Sequence, residues 1–244
     1  PWRMVAGVLH EIGRGGEIAQ RFSSVVGHPA ASTVQAMLAR KLNCPHTTSA
    51  GRWFDAAAGA LGLSVRQAAE AEAAIALEQA ATGWLATHEA PDPAGLWLRK
   101  RDDAGVGVID LMPVLQCLLA TGGRAPADSD ARVDADAPVQ GNENQQAVAR
   151  DAALFHVVLA DALADTTIQA ARDSGIHTVA LGGGCFFNKQ LSALIEHALA
   201  RAGLRVLRPL AHSCGDAGLA LGQSWVARQW VRQTDSKERS TSCA

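Results

Sequence analysis

Apolar residues recur at helical spacing through Met4–Leu9, Ile18–Val26 and Val34–Leu42. That period places them on one face and predicts three amphipathic helices. Ser32 and Thr33 are placed to cap the third. Thr47-Thr48-Ser49, just after Pro45, predicts another start, for a helix over Phe54–Leu61 that Gly62 ends. Ser64 opens an Ala- and Glu-rich stretch predicted helical from Arg66 to about Ala81. Residues 1–90 therefore read as a helical part.

The pattern changes near Pro91. Leu96–Leu98 and Val106–Ile109 are short, and Pro, Gly and Asp bound them; they read as the strands of a hairpin. A helix is predicted over Asp110–Leu119. Residues 121–143 are poor in large apolar side chains and rich in Asp, Pro and Asn, which predicts a mobile loop. A long helix follows, from about Gln145 to Asp173. Thr178–Leu181 reads as a buried strand, Gly182–Gly184 as a turn, then a helix to about Ala202 closed by Gly203. Leu204–Leu207 is a second strand and Ala217–Trp230 a last helix. Strand, glycine turn, helix, strand, helix is an α/β unit with a parallel pair. The expected division is 1–90 and 91–233, with a frayed polar tail over 234–244.

Composition narrows the class. Hydrophobic residues make up 48% of 244, enough for a sizeable core. With 22 basic and 24 acidic residues the net charge is −2, so bulk charge gives no argument for nucleic acid. No apolar run is long enough to span a bilayer, and nothing after Pro1-Trp2-Arg3 resembles a secretory leader. A start without Met is what an excised piece would show. The five cysteines are scattered, with no C-x-x-C pair, which argues against a zinc ribbon or disulfide framework and for reduced thiols in a cytoplasmic protein.

Three stretches could carry chemistry. In Leu181–Asn188, glycines at the end of a strand would let a ligand reach the backbone, and a helix start would favour an anion. Asn188 has a donor and an acceptor for a base or ribose. The other reading is a turn that packs a helix on a strand. In Thr47–Asp55, Gly51 lies near a helix start and Asp55 one turn on, placed for ribose hydroxyls; the other reading is an acid that complements the helix dipole. In Ala211–Gly222, Asp216 stands between strand and helix, where α/β folds gather ligands, and suits a metal or a phosphate-bound magnesium; the other reading is an N-cap. Nothing places Cys214 and His212 in mutual reach as a nucleophile pair. His156 lies on an apolar helical face and reads as a bonded core histidine. None of the eight histidines stands three or four positions from another, so the chain has no helical two-His metal site.

Taken in order, these stretches resemble the carboxy-terminal part of the HypF carbamoyltransferases of nickel–iron hydrogenase maturation. Pro1-Trp2-Arg3-Met4 resembles that family's P-W-R-M, and Thr47–Asp55 its T-S-S-x-G-R-x-F-D. Phe155-His156 is similar to its F-H, Gly182–Asn188 to its G-G-G-V-F-x-N, and Gly215–Gln223 to its N-D-G-G-x-x-L-G-Q. The resemblance spans nearly the whole chain except 121–143. It implies an α/β fold, one lobe of the actin-like acetate kinase–Hsp70–actin (ASKHA) type, with a helical amino-terminal part and a ribonuclease H-like carboxy-terminal part. It further implies ATP and carbamoyl phosphate as substrates and carbamoyl-adenylate as intermediate. The carbamoyl group would pass to a carboxy-terminal cysteine thiol of the partner HypE. Gly51, Arg52 and Asp55 would face the nucleoside, Gly182, Gly183 and Gly184 the phosphate and sugar, and Asn188 the base. Asp216 would face a divalent metal (iron, zinc or magnesium) completed by residues outside this chain. Two departures stand out. The family's E-G-Q-A-A reads Glu70-Ala71-Glu72-Ala73-Ala74, and its P-P-N-D stretch reads His212-Ser213-Cys214-Gly215 before Asp216. They keep open a diverged carbamoyltransferase with another acceptor, or a non-catalytic module that docks a partner. A sugar kinase of the same superfamily would need a D-G-G-T-type context, which is not evident.

Overall fold

A computed structural model describes residues 1–122, 140–209 and 211–241. The first part is all helical: α1 (Trp2–Glu11), α2 (Ile18–Val26), α3 (His28–Ala39), α4 (Ala50–Ala60) and α5 (Glu72–Leu85). The apolar faces read from the periodicity are buried in α1 and α2, with Val5, Leu9, Ile18, Phe22, Phe54 and Leu77 in one core, whereas in the third stretch Val34 and Leu38 are half-buried and Leu42, past the end of α3, is exposed. Gly59 lets α4 close on α1, since a Cβ there would stand 2.8 Å from Val5 Cγ2. Trp2 and Phe22 fill the far end, with ring centroids 5.6 Å apart.

Two expectations in this part are corrected. α3 begins at His28, with Pro29 in its first turn, so Ser32 and Thr33 lie inside it. There Thr33 Oγ1 donates back to the Pro29 carbonyl and Ser32 Oγ bonds His28 Nε2, which are interior roles. The stretch after Ser64 does not start a helix at Arg66: α5 begins at Glu72, after Ala71 in the left-handed conformation (φ 59°, ψ 8°). The Glu72 carboxylate takes the Ala68 and Ala69 amides, so the chain turns before it coils.

The second part holds an antiparallel hairpin, β1 (Leu98–Arg101) with β2 (Gly107–Asp110), and the helices α6 (Met112–Thr121) and α7 (Gln140–Ser174). The hairpin is the expected one, with its first strand displaced toward the turn and its second shifted one residue away from it. Trp97 Nε1 and the Arg99 guanidinium tie it to Asp161 and Asp165 of α7. Most of the expected mobile loop lies outside the described residues; its ends are helical, Thr121 in α6 and 140–143 already in α7. Next come β3 (Thr178–Ala180), α8 (Lys189–Arg201), β4 (Arg205–Leu207) and α9 (Leu219–Thr241), and β3 and β4 pair in parallel as predicted. β3 is not buried as expected: Thr178 and Ala180 are exposed and Val179 half-buried. Parallel sheets owe their burial to helices on both faces, and this pair has α8 folded against β4. The tail from 234 continues α9 to Thr241. Among the described residues no helix is long and apolar enough to cross a membrane.

Candidate functional site

β3 ends at Ala180 and releases the chain into Gly182–Gly184, all three exposed. Gly183 has φ 108° and ψ 155°, a conformation open essentially to glycine alone. A Cβ built on Gly182, Gly183 or Gly184 would meet no atom within 4 Å. The backbone of this turn is therefore bare on its outer side, as close approach by a ligand requires. The turn continues as one coil of 3-10 helix, Gly184–Phe187, and ends at Asn188, the N-cap of α8.

The Asp216 loop lies against it. Gly183 N–H donates to the Cys214 carbonyl at 2.6 Å. Gly215 sits so near the Phe187 ring that a Cβ there would come within 2.9 Å of Cε2. Gly218 in turn lies on the Ser213 carbonyl, where a Cβ would overlap the oxygen. Asp216 opens a short 3-10 turn, Asp216–Gly218, with its side chain exposed. A cleft of about 680 Å³ opens beside this loop, between Pro209, Cys214 and Gly215 and the Leu219, Val226 and Trp230 face of α9. The structure thus brings together two of the three motifs.

The third motif forms a separate group. Asp55 is buried, with Oδ1 accepting from Gln67 Nε2 at 2.6 Å and Oδ2 paired with Arg52 at 2.8 Å. Arg52 is exposed and Gly51 half-buried. A buried core joins this group to the glycine turn. The Phe54 ring meets His156 edge-on, centroids 5.5 Å apart, and His156 Nε2 bonds Asn188 Nδ2 at 2.9 Å.

Two readings change in this light. Asn188 was the expected base contact, yet it is buried and both ends of its amide are engaged within the protein: Nδ2 on His156 and Oδ1 on the Leu191 amide, 2.9 Å away. The start of α8 was expected to offer its amides to an anion. It stands one 3-10 turn beyond the glycines, and Glu78 of α5 takes the Lys189 amide at 2.6 Å. A protein carboxylate already complements that dipole end, so the glycine backbone is what faces outward. His156 is the bonded core histidine the sequence predicts; burial holds its imidazole below the usual range, against the Ala152 carbonyl and Glu78, which act the other way. Gln67 and Glu78 carried no sequence signal, since their partners lie 12 and 111 residues away.

Asp216 offers one carboxylate, and no group of three His, Cys, Asp or Glu side chains among the described residues could hold a metal. The donor set of the described residues does not make a metal centre. Burial pushes the Cys185 thiol up, which leaves it protonated at neutral pH and a poor nucleophile.

A family model described as "Carbamoyltransferase, Kae1-like Domain, second subdomain" matches residues 1–223. The carbamoyltransferase HypF homolog of Cupriavidus necator is 50% identical over 249 residues, covering 100% of this chain and 58% of that protein. Carbamoyltransferase HypF2 of the same organism is 37% identical, over 94% of this chain and 27% of its own length. The crystal structure of full-length HypF in the phosphate- and nucleotide-bound form superposes with a TM-score of 0.67 at 20% identity, covering 94% of this chain and 26% of that one. The chain thus spans little more than half the length of the first relative and about a quarter of the others.

Proposed function

We propose a function from the premise that this chain belongs to the HypF carbamoyltransferase family: it supplies the phosphate-facing wall of an adenylate site in a carbamoyltransferase. The observation that carries this reading is the bare Gly182–Gly184 backbone locked to the Asp216 loop. Glycine amides without side chains in front of them suit phosphate oxygens. Asp216 stands exposed on the adjoining loop, and Arg52, held by Asp55, is the candidate for the nucleoside end. Asn188 acts from behind, by holding the turn. A metal would need ligands from outside this chain, and no step is drawn through one.

In the reaction we propose, water cleaves carbamoyl phosphate to carbamate and inorganic phosphate, a carbamate oxygen attacks the α-phosphorus of ATP and expels pyrophosphate to give carbamoyl-adenylate, and an acceptor thiol sulfur attacks the carbamoyl carbon. The bond from that carbon to the adenylate phosphate oxygen breaks, AMP leaves, and the thiol proton passes to solvent or a base. The acceptor in this reading is the carboxy-terminal cysteine of HypE, and the setting is cytoplasmic hydrogenase maturation. This chain's part is to bind and orient the adenylate.

ATP titration by calorimetry tests it. Gly184→Val adds bulk at a position with free space and negative φ, so the fold is expected to survive while affinity falls about tenfold or more. Gly183→Val is a poorer probe, because its backbone would strain whatever the space. Equal ATP affinity in wild type and Gly184→Val removes the turn from the site. Absence of ATP binding in a longer protein that contains this chain favours a partner-docking module instead.

A further inference from the structure

We propose that His156 is a positioning residue for the glycine turn: as the neutral imidazole with its hydrogen on Nδ1, it holds Asn188, and Asn188 holds both the turn and the start of α8. The bonds leave one consistent assignment. A carbonyl can only accept, so Nδ1 carries the hydrogen shared with Ala152 O at 2.8 Å. Nε2 then has a lone pair and accepts from Asn188 Nδ2. That leaves Asn188 Oδ1 for the Leu191 N–H. From Asn188 the bonding continues without a gap. Its N–H donates to Cys185 O at 3.2 Å, Phe186 N–H donates to Gly183 O at 3.1 Å, and Gly183 N–H donates to Cys214 O. Ser192 Oγ donates to Phe186 O at 2.9 Å and ties the same turn to α8 a second time. One network therefore runs from the interior of α7, through the glycines, to the loop that carries Asp216.

The network depends on the protonation state of a single ring. A proton on Nε2 would set an N–H against the Asn188 NH2. Turning the amide over would offer Oδ1 to the imidazolium but aim NH2 at the Leu191 N–H. One of the two bonds is lost in either case, inside a buried site where an unmade bond is costly. The surroundings give a proton little support. α4 presents the Phe54 ring edge, α7 itself the Phe155 ring at 6.0 Å, the start of α8 the Asn188 amide, and α5 the Glu78 carboxylate. Glu78 is meanwhile bonded to the Lys189 amide. The turn is thus held firmly at neutral pH and loosens in acid.

Amide hydrogen exchange of the whole chain, read by NMR at Gly183, Phe186 and Leu191, tests this without any ligand. After correction for intrinsic rates, wild-type protection is expected to fall about tenfold between about pH 7.5 and about pH 5. His156→Gln places a carbonyl oxygen where Nε2 stood and cannot titrate; it should keep protection at both pH values. His156→Phe keeps ring volume but removes the acceptor, and should expose these amides at both, with the α2 amides unchanged. Equal protection in wild type and His156→Phe, or an undiminished acid response in His156→Gln, overturns the proposal. Should His156→Phe fail to fold, the comparison of wild type with His156→Gln decides. The consequence for nucleotide rests on the adenylate reading above. If exchange behaves as stated while ATP binds wild type and a folded His156→Phe equally, positioning stands and that reading fails.

Discussion

Ala71 holds a left-handed backbone, at φ 59°, that a Cβ makes unfavourable by about 1–2 kcal/mol. The HypF pattern has glycine at this position, and Glu72 follows where it has glutamine. The fold keeps the turn anyway, because the Glu72 carboxylate gathers the Ala68 and Ala69 amides. Ala71→Gly is therefore expected to raise stability by up to about 1 kcal/mol, a net of relieved strain and added unfolded-state freedom, measurable by urea unfolding. A destabilised variant would mean that the Ala71 methyl packs usefully. His156 sets a pH dependence of known sign. Its folded value lies below the ordinary one of 6.5, so the unfolded chain binds the proton first. The stability it contributes is complete above about pH 6.5 and is lost as pH falls from there through the folded value. Unfolding curves at several pH values should show this loss in wild type and not in His156→Gln.

At the scale of elements, junctions between helix ends organise the core. Arg21 of α2 donates to the carbonyls of Ala60 and Gly122, where α4 and α6 end, so its half-buried guanidinium complements two carboxy-terminal dipoles. Burial lowers its pKa, yet it remains charged at any ordinary pH. Gly122 lies so close to α4 that a Cβ would overlap the Ala60 carbonyl oxygen. Gly122→Ala should cost about 1–3 kcal/mol by forcing the two helix ends apart, which thermal unfolding will register. The α5–α8 junction makes a second case. Glu78 caps α8 through the Lys189 amide, and Gln190 reaches Thr82 beside it. Glu78→Ala should lower stability by about 1 kcal/mol and fray the first turn of α8, visible as faster exchange at its first amides. An unchanged melting temperature would make that carboxylate dispensable.

For the whole molecule, the chain matches only part of the length of its relatives, 58% of the first. The β3–β4 pair is open to solvent and the relatives extend well beyond the matched region. On the adenylate reading, which gives this chain one wall of the site, the 244-residue chain alone should not turn over carbamoyl phosphate and ATP; release of AMP from this chain alone would count against that. It should also bind neither iron nor zinc stoichiometrically, because a lone carboxylate is a weak site for either. Metal analysis after dialysis checks this, and tight binding would place a full ligand set within the chain. Much of the architecture was legible in the sequence. Apolar spacing is local information, so α1, α2, the hairpin and the parallel strand pair follow from it, and the ordered motifs pointed to the family before any contact was known. What needed the tertiary structure is which polar groups meet. Asn188 could be read equally well as a ligand contact or a cap, and the choice depended on His156, 32 residues away. The α8 dipole could have faced a phosphate, but Glu78, 111 residues from Lys189, reached it first. A side chain's local sequence states what bonds it can make; packing between distant helices decides which of them are already made.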